Sequence, residues 1–220
     1  MQFTVQPTGE SLQIAIQHLV IAGWAGRDAA AVQHHIDELA ALGVKPPRTT
    51  PLFYRVGREL LTTAAAIDLA GDGSTGEAEA VLIAAGGALY VTVGSDHTDR
   101  AAEAAGVTWS KQMCAKPVAA EVWRFDEVVG HWDALQLSSR VQQNGVWREY
   151  QRGTLAGLRR PEDLLARFGA LAEGAAMFCG TLAAAPPIAW ADVFEATLHD
   201  PVLDRTLVCR YAMTALPIAD

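Results

Sequence analysis

Cysteine is scarce in this chain. Cys114, Cys179 and Cys209 are odd in number and far apart. That excludes a secreted disulfide framework and points to a reducing cytoplasm. Their separations also lack the close pair that structural zinc sites show. Positive charge is short as well, with 17 Lys and Arg against 25 Asp and Glu and a formal charge of −8. The densest basic run is Arg159-Arg160. A general nucleic-acid binder needs a basic face to displace counterions from phosphates, so that function is excluded. Long apolar runs are missing too. Every weakly charged stretch is broken by Gly, His or Pro before the roughly 20 residues that a membrane span needs. Met1-Gln2-Phe3-Thr4 carries no charged n-region before an apolar core, so no signal peptide is expected. No internal repeat, linker or low-complexity block interrupts the chain. What is present is a composition that is 50% hydrophobic and 19% charged, which excludes disorder. A chain of 220 residues fits one domain, 1–220, burying roughly 70% of its unfolded surface.

The apolar pattern alternates more often than it follows a helical period. Leu12, Ile14 and Ile16 predict a strand within 11–22. Asp28 can cap a helix over 29–42, whose stripe is Val32, Ile36 and Leu39; Gly43 and Pro46-Pro47 stop it. Residues 52–54 are a short strand candidate. Residues 80–84 and 88–93 flank Gly86-Gly87 as strand, turn, strand. A short helix is expected over 100–105, then strands over 118–125, 134–142 and 147–151, the last two joined by Asn144-Gly145. Pro161 opens a helix over 161–173, and short strands follow around Pro186-Pro187. The sum is an α+β, mostly β, domain.

Four constellations could carry chemistry. Glu77 and Glu79 are two apart, so on a strand they share a face, with Asp96 one hairpin later. Adjacent carboxylates repel unless a cation lies between them, and their oxygens suit Mg²⁺, Mn²⁺ or Ca²⁺. The alternative is an exposed strand edge with two solvated glutamates. His35 and Glu38, three apart on a helix, could form an oriented general base or an ordinary surface pair, with His34 turned to solvent. Partial burial could make Lys111 an acid or proton donor. Cys114 could be a nucleophile paired with His97 or His131, or simply a small core residue. Finally, Gly71-Asp-Gly73-Ser-Thr-Gly76 matches G-x-G-x-x-G. Asp72, Glu77 and Glu79 would repel a pyrophosphate there, and no alternating β-α pattern surrounds it.

In unbroken order, these segments resemble the fumarylacetoacetate hydrolase superfamily over about residues 30–185. His35-x-x-Glu38-Leu39 resembles its lid motif, and Pro51-Leu-Phe-Tyr-Arg55 its Pro-x-Leu-Phe-x-Lys segment. Gly76-Glu77-Ala-Glu79 is similar to its metal-binding Glu-x-Glu, and Ser95-Asp96-His-Thr-Asp99-Arg100 to its Asn-Asp-x-Ser/Thr-x-Arg. Lys111-Gln-Met-Cys114 with Pro117 resembles Lys-Ser-Phe-Asp followed by Pro, and Cys179-Gly180-Thr181 the late Gly-Thr-Pro loop. The most similar branch is one whose members are mostly of unknown function.

The resemblance implies a mixed β-roll with short helices, usually a homodimer, around one divalent ion, Mg²⁺ before Mn²⁺ or Ca²⁺. It implies Glu77, Glu79 and Asp96 as metal ligands, His35 and Glu38 as a water-activating dyad on a lid helix, and Lys111 beside the substrate. Arg55 and Thr181 are the implied substrate contacts. The implied activity is metal-dependent C–C hydrolysis or decarboxylation of a small 1,3-dicarbonyl or 2-oxo acid. A hydratase or tautomerase, a thiol hydrolase using Cys114, and a non-catalytic ligand-binding member are the alternatives. Three positions depart from the pattern: Cys114 stands for an acidic residue, Arg55 for Lys, and Leu182 for Pro. They bear on substrate identity more than on the metal.

Overall fold

In the computed structural model, which describes residues 1–41 and 43–219, strands hold 45% of the chain and helices 22%. The fold is α+β and mostly β, as the alternating apolar pattern implies. An eight-stranded mixed sheet runs, edge to edge, Glu10–Gln13, Gln2–Val5, Glu121–Arg124, Ala88–Ser95, Ala78–Ala85, Ala175–Thr181, His18–Gly23 and Leu52–Val56. A five-stranded sheet runs Val146–Thr154, Gln136–Gln143, Val193–Asp200, Arg205–Leu216 and Ala66–Ala70. Among the described residues, no helix is long and apolar enough to cross a membrane.

The larger sheet is apolar on both faces, so each face has its own core. On one face Val20, Ala80, Leu82, Val91, Val93 and Met177 join Leu137, Phe194, Leu198 and Tyr211 of the smaller sheet in one buried cluster. The opposite face carries Phe3, Val5, Ile21, Tyr54, Val81, Ile83, Val122 and Phe178, packed with Leu61 and Val118. Each fully buried side chain of this size contributes about 1.5–3 kcal/mol before its entropy cost. Burial on both faces explains why residues 80–85 read as a continuous apolar run.

The hairpin at Gly86-Gly87 is present, with Ala78 opposite Ser95 and Glu79 opposite Gly94. Gly94 is required by close approach. A Cβ there would lie 2.7 Å from the Pro117 carbonyl oxygen, so only glycine lets the 116–118 segment rest on this strand. The Asn144-Gly145 hairpin also forms, both residues having positive φ.

Several expected elements differ. The 11–22 strand is two strands with residues 14–17 between them. The helix expected over 161–173 ends at Phe168, where Gly169 adopts φ 101°. The helix expected over 29–42 spans Ala29–Ala41, and Leu42 lies outside the described residues. The short strands expected near Pro186-Pro187 are instead two long ones, Val193–Asp200 and Arg205–Leu216.

Candidate metal centre

Strand alternation sets the site. Glu77 and Glu79 share the parity of Val81 and Ile83, so they project from the same face as that core. Asp96 follows the partner strand, and its amide donates to the Glu77 carbonyl at 2.9 Å. One carboxylate oxygen each from Glu77, Glu79 and Asp96 lies within 4.8 Å of the others. Asp96 is fully buried, Glu79 nearly so, and the Glu77 side chain is 19% exposed.

Cations crowd part of this cluster. Lys111 donates to Asp96 Oδ2 and lies 3.8 Å from Glu77 Oε2. Lys116 lies 3.2 Å from Asp96 Oδ1. Arg100 bridges Glu77 and Glu103 at 2.9 Å each and donates to the Thr75 hydroxyl at 2.7 Å. Burial pushes the Asp96 carboxyl up, but Lys111 and Lys116 outweigh it and hold the group below the usual carboxylate range. Burial pulls the Lys111 ammonium down, and Asp96 and Glu77 more than reverse it.

Glu79 is the exception. No Lys, Arg or His forms an ion pair with it among the described residues, and its one partner is the Gly180 amide at 2.7 Å. Gly180 presents that amide from φ 99°, a conformation that favours glycine. Burial, then Asp96 and Glu77, push the Glu79 carboxyl well above its ordinary value. Asp96 Oδ1 is buried and accepts no hydrogen bond of ordinary geometry, with the Lys116 ammonium 3.2 Å away as its neighbour. A buried carboxylate without an ion-pair partner, Glu79, within one cluster of three carboxylates fits a hard divalent cation bound by oxygen.

The remaining candidate residues lie at different distances from this centre. Thr181 pairs with Glu79 across neighbouring strands. Its hydroxyl donates to the Ala78 carbonyl at 2.9 Å and accepts from Gln151 Nε2 at 2.7 Å. Gln151 also accepts from the Ala78 amide and the Ser139 hydroxyl, so Thr181 and Gln151 brace the strand that bears Glu79.

Arg55 needs correction. It lies opposite Val20, on the face that packs toward the smaller sheet, and its guanidinium stacks 5.4 Å from the Phe168 ring centroid. Tyr54, one residue earlier, has the parity that faces the carboxylates, and Lys111 Nζ lies 5.8 Å from its ring centroid. A one-residue difference in register puts the two side chains on opposite faces.

His35 and Glu38 are not brought to the carboxylates. Both are exposed on the 29–41 helix, at 61% and 59%, with His35 Nδ1 3.5 Å from Glu38 Oε2. Exposed His34 is also within 3.2 Å of Glu38. The dyad meets the centre only through intermediates. The His35 ring lies against Trp24 at 5.8 Å, and Trp24 Nε1 donates to the Tyr54 hydroxyl at 3.0 Å. Trp24 holds φ 58°, a strained backbone for a bulky residue.

Cys114 is a poor nucleophile. Burial pushes its thiol up to about 11. Neither candidate histidine bonds to it. His97 is bound by Tyr211 and Ser74 and is held near 3 by burial, and His131 pairs with Asp200 at 2.9 Å. The Gly71–Gly76 segment forms a turn and the two-residue strand Ser74–Thr75 rather than opening a helix. Sequence reasoning assigned no role to Lys116, Glu103 or Tyr54, and none to Arg100 beyond its motif. The one local signal is a lysine placed directly before Pro117 in an apolar segment.

The model of a family described as a protein of unknown function, DUF2848, matches residues 22–211. The chain belongs to that family. No curated protein matches it. The solved structures that resemble it include a protein assigned to the fumarylacetoacetate hydrolase family from Yersinia pestis. That protein is 16% identical, with 97% of this chain and 100% of that chain covered and a TM-score of 0.64. A proposed fumarylacetoacetate isomerase/hydrolase from Oleispira antarctica is also 16% identical, with 97% and 100% covered and a TM-score of 0.66. A 2-keto-3-deoxy-D-arabinonate dehydratase complexed with magnesium and 2,5-dioxopentanoate is 17% identical, with 90% and 74% covered and a TM-score of 0.60. At these identities the likeness establishes the fold, which is that of the fumarylacetoacetate hydrolase family.

Proposed function

We propose that this DUF2848 protein is a divalent-metal-dependent enzyme acting on a small 2-oxo acid or 1,3-dicarbonyl compound, cleaving a C–C bond by hydrolysis or decarboxylation. The observation that carries the reading is the convergence of Glu77, Glu79 and Asp96 within 4.8 Å on one buried sheet face. Their hard oxygens suit Mg²⁺, and the same set accommodates Mn²⁺ or Ca²⁺. When bound, such an ion supplies Lewis acidity toward a carbonyl and stabilises enolate charge. The fold shared with a dehydratase complexed with magnesium and an oxo compound supports this class of substrate.

The chain's own residues divide the remaining work. Glu77, Glu79 and Asp96 would hold the ion. Lys111, kept charged by Asp96 and Glu77, stabilises negative charge on the substrate or returns a proton to carbon. His35, oriented by Glu38, takes the proton of the attacking water once the 29–41 helix closes over the cleft. The His35 ring lies 5.8 Å from that of Trp24, whose indole N–H donates to the Tyr54 hydroxyl.

A second reading, hydration or tautomerisation of a 2-oxo acid, is favoured by the exposure of His35 and Glu38, because these reactions need the metal centre and Lys111 without the dyad. Calorimetry with Mg²⁺ and oxalate, a mimic of the 2-oxo acid enolate, tests both readings. Metal-dependent oxalate binding is expected, and its absence removes every enzymatic reading. Turnover of a panel of oxo acids by His35→Ala then separates the two: hydrolysis is lost, whereas hydration or tautomerisation persists.

A further inference from the structure

Lys116 has no part in the chemistry above, yet its ammonium lodges behind the proposed centre. The side chain is wholly buried in the strand Lys116–Pro117, which pairs in parallel with Leu61–Thr62 and is pressed onto the larger sheet at Gly94. Three oxygens surround Nζ. It donates to the His97 carbonyl, to the Lys111 carbonyl at 2.6 Å, and lies 3.2 Å from Asp96 Oδ1. A neutral amine would turn its lone pair toward an acceptor in any such arrangement. An ammonium has three donors and no acceptor, so the three oxygens match the charged form, although burial pulls the Lys116 ammonium below its ordinary value against the opposing pull of Asp96.

Asp96 is thereby met by two lysines, Lys111 on Oδ2 and Lys116 on the side of Oδ1. They are not equivalent. Lys111 also reaches toward Glu77 and Tyr54 at the mouth of the cluster. Among the described residues, the polar contacts of the Lys116 ammonium are Asp96 and two backbone carbonyls. A substrate-binding role would need access that Lys116 does not have. A purely structural role would need donors for two carbonyls but no charge beside a carboxylate that Lys111 already neutralises.

We propose that Lys116 is a positioning residue that sets the cation affinity of the Glu77–Glu79–Asp96 centre. Its fixed charge weakens the field that the carboxylates offer a divalent ion. Its carbonyl bonds clamp the end of the Asp96 strand to the end of the Val107–Gln112 helix that carries Lys111. The inference rests on the metal reading of that centre, and the two can fail separately. Charge and hydrogen bonding also separate by substitution. Lys116→Gln keeps an N–H donor without the charge, and Lys116→Met keeps the length with neither.

Mn²⁺ titrated into wild type, Lys116→Gln and Lys116→Met, followed by calorimetry and by the Mn²⁺ electron-spin signal, tests the proposal; thermal midpoints are measured alongside. A unit charge this near an ion has a large effect at protein dielectric, so both variants are expected to bind Mn²⁺ about tenfold or more tightly than wild type. Lys116→Met is expected to pay for its lost donors with a lower thermal midpoint than Lys116→Gln. Unchanged or weaker Mn²⁺ binding by folded variants overturns the inference and leaves the metal centre standing. No binding by any of the three overturns both. Failure of both variants to fold would confine Lys116 to the fold and likewise overturn the proposal.

Discussion

The buried face of the 78–95 hairpin and the exposed face of the 29–41 helix are built on opposite plans. On the hairpin, Glu77, Glu79 and Asp96 are fixed by strand register, by the Gly180 amide and by two lysines. On the helix, His35 and Glu38 stand in solvent, and among the described residues the His35 ring lies against Trp24, which bonds to Tyr54. The difference shows which half of the site is preorganised. On the proposed reading, charge placement for a cation is already set by the fold, whereas delivery of a general base from His35 would require the helix to move. Desolvation keeps the first arrangement electrostatically strong, and solvent exposure leaves the second weak until water is excluded.

The largest effect that would sharpen this contrast is expected at Asp96. Asp96→Asn leaves two buried lysines facing a neutral amide, and breaking a buried pair in this way costs about 3–5 kcal/mol. Urea unfolding should show that loss, with Mn²⁺ binding abolished. Glu79→Gln should separate binding from stability. It removes a carboxylate without a cationic partner, so cation binding should fall by about a hundredfold or more while the metal-free protein becomes no less stable.

The pH dependence of Glu79 follows from its raised carboxyl. The folded state retains that proton above the unfolded value of about 4.3, so the group costs stability as pH rises from there through its folded value. Thermal melts of metal-free protein should show wild type losing ground to Glu79→Gln as pH rises above the unfolded value of about 4.3. Asp96 has the opposite sign, since its contribution is present above the unfolded value of about 3.9 and is lost as pH falls below it.

Smaller effects belong to the helix. His35→Ala should leave Mn²⁺ affinity and the thermal midpoint where they are and remove hydrolytic turnover alone; a large drop in Mn²⁺ affinity would erase the distinction between the two regions. The smallest effect is expected at Arg55. Arg55→Ala loses its stacking on Phe168, about 0.5–1 kcal/mol at an exposed site, and should leave oxalate binding unchanged in calorimetry.

What the sequence reveals follows the range of the interaction. The spacing of Glu77 and Glu79 and the Gly86-Gly87 turn are local, and together they locate the carboxylates and the hairpin that brings Asp96 back to them. The 29–41 helix was legible for the same reason, from Asp28 and its apolar stripe. The strand Ala66–Ala70 was not, because it exists by pairing in parallel with residues near 212–216, far along the chain. Lys116 carries no local signal beyond its place before Pro117, and its burial depends on the close approach that Gly94 permits from another strand. Arg55 and Tyr54 show the finest limit. Their segment resembles the family motif, but which of the two faces the site depends on one residue of register, fixed by pairing with residues 19–23.

The most direct measurement is a crystal grown or soaked with Mn²⁺ and recorded at a wavelength where manganese scatters anomalously. The account predicts one strong anomalous peak within coordination distance of Glu77, Glu79 and Asp96. A folded protein showing no peak there, or manganese bound only elsewhere, would contradict it.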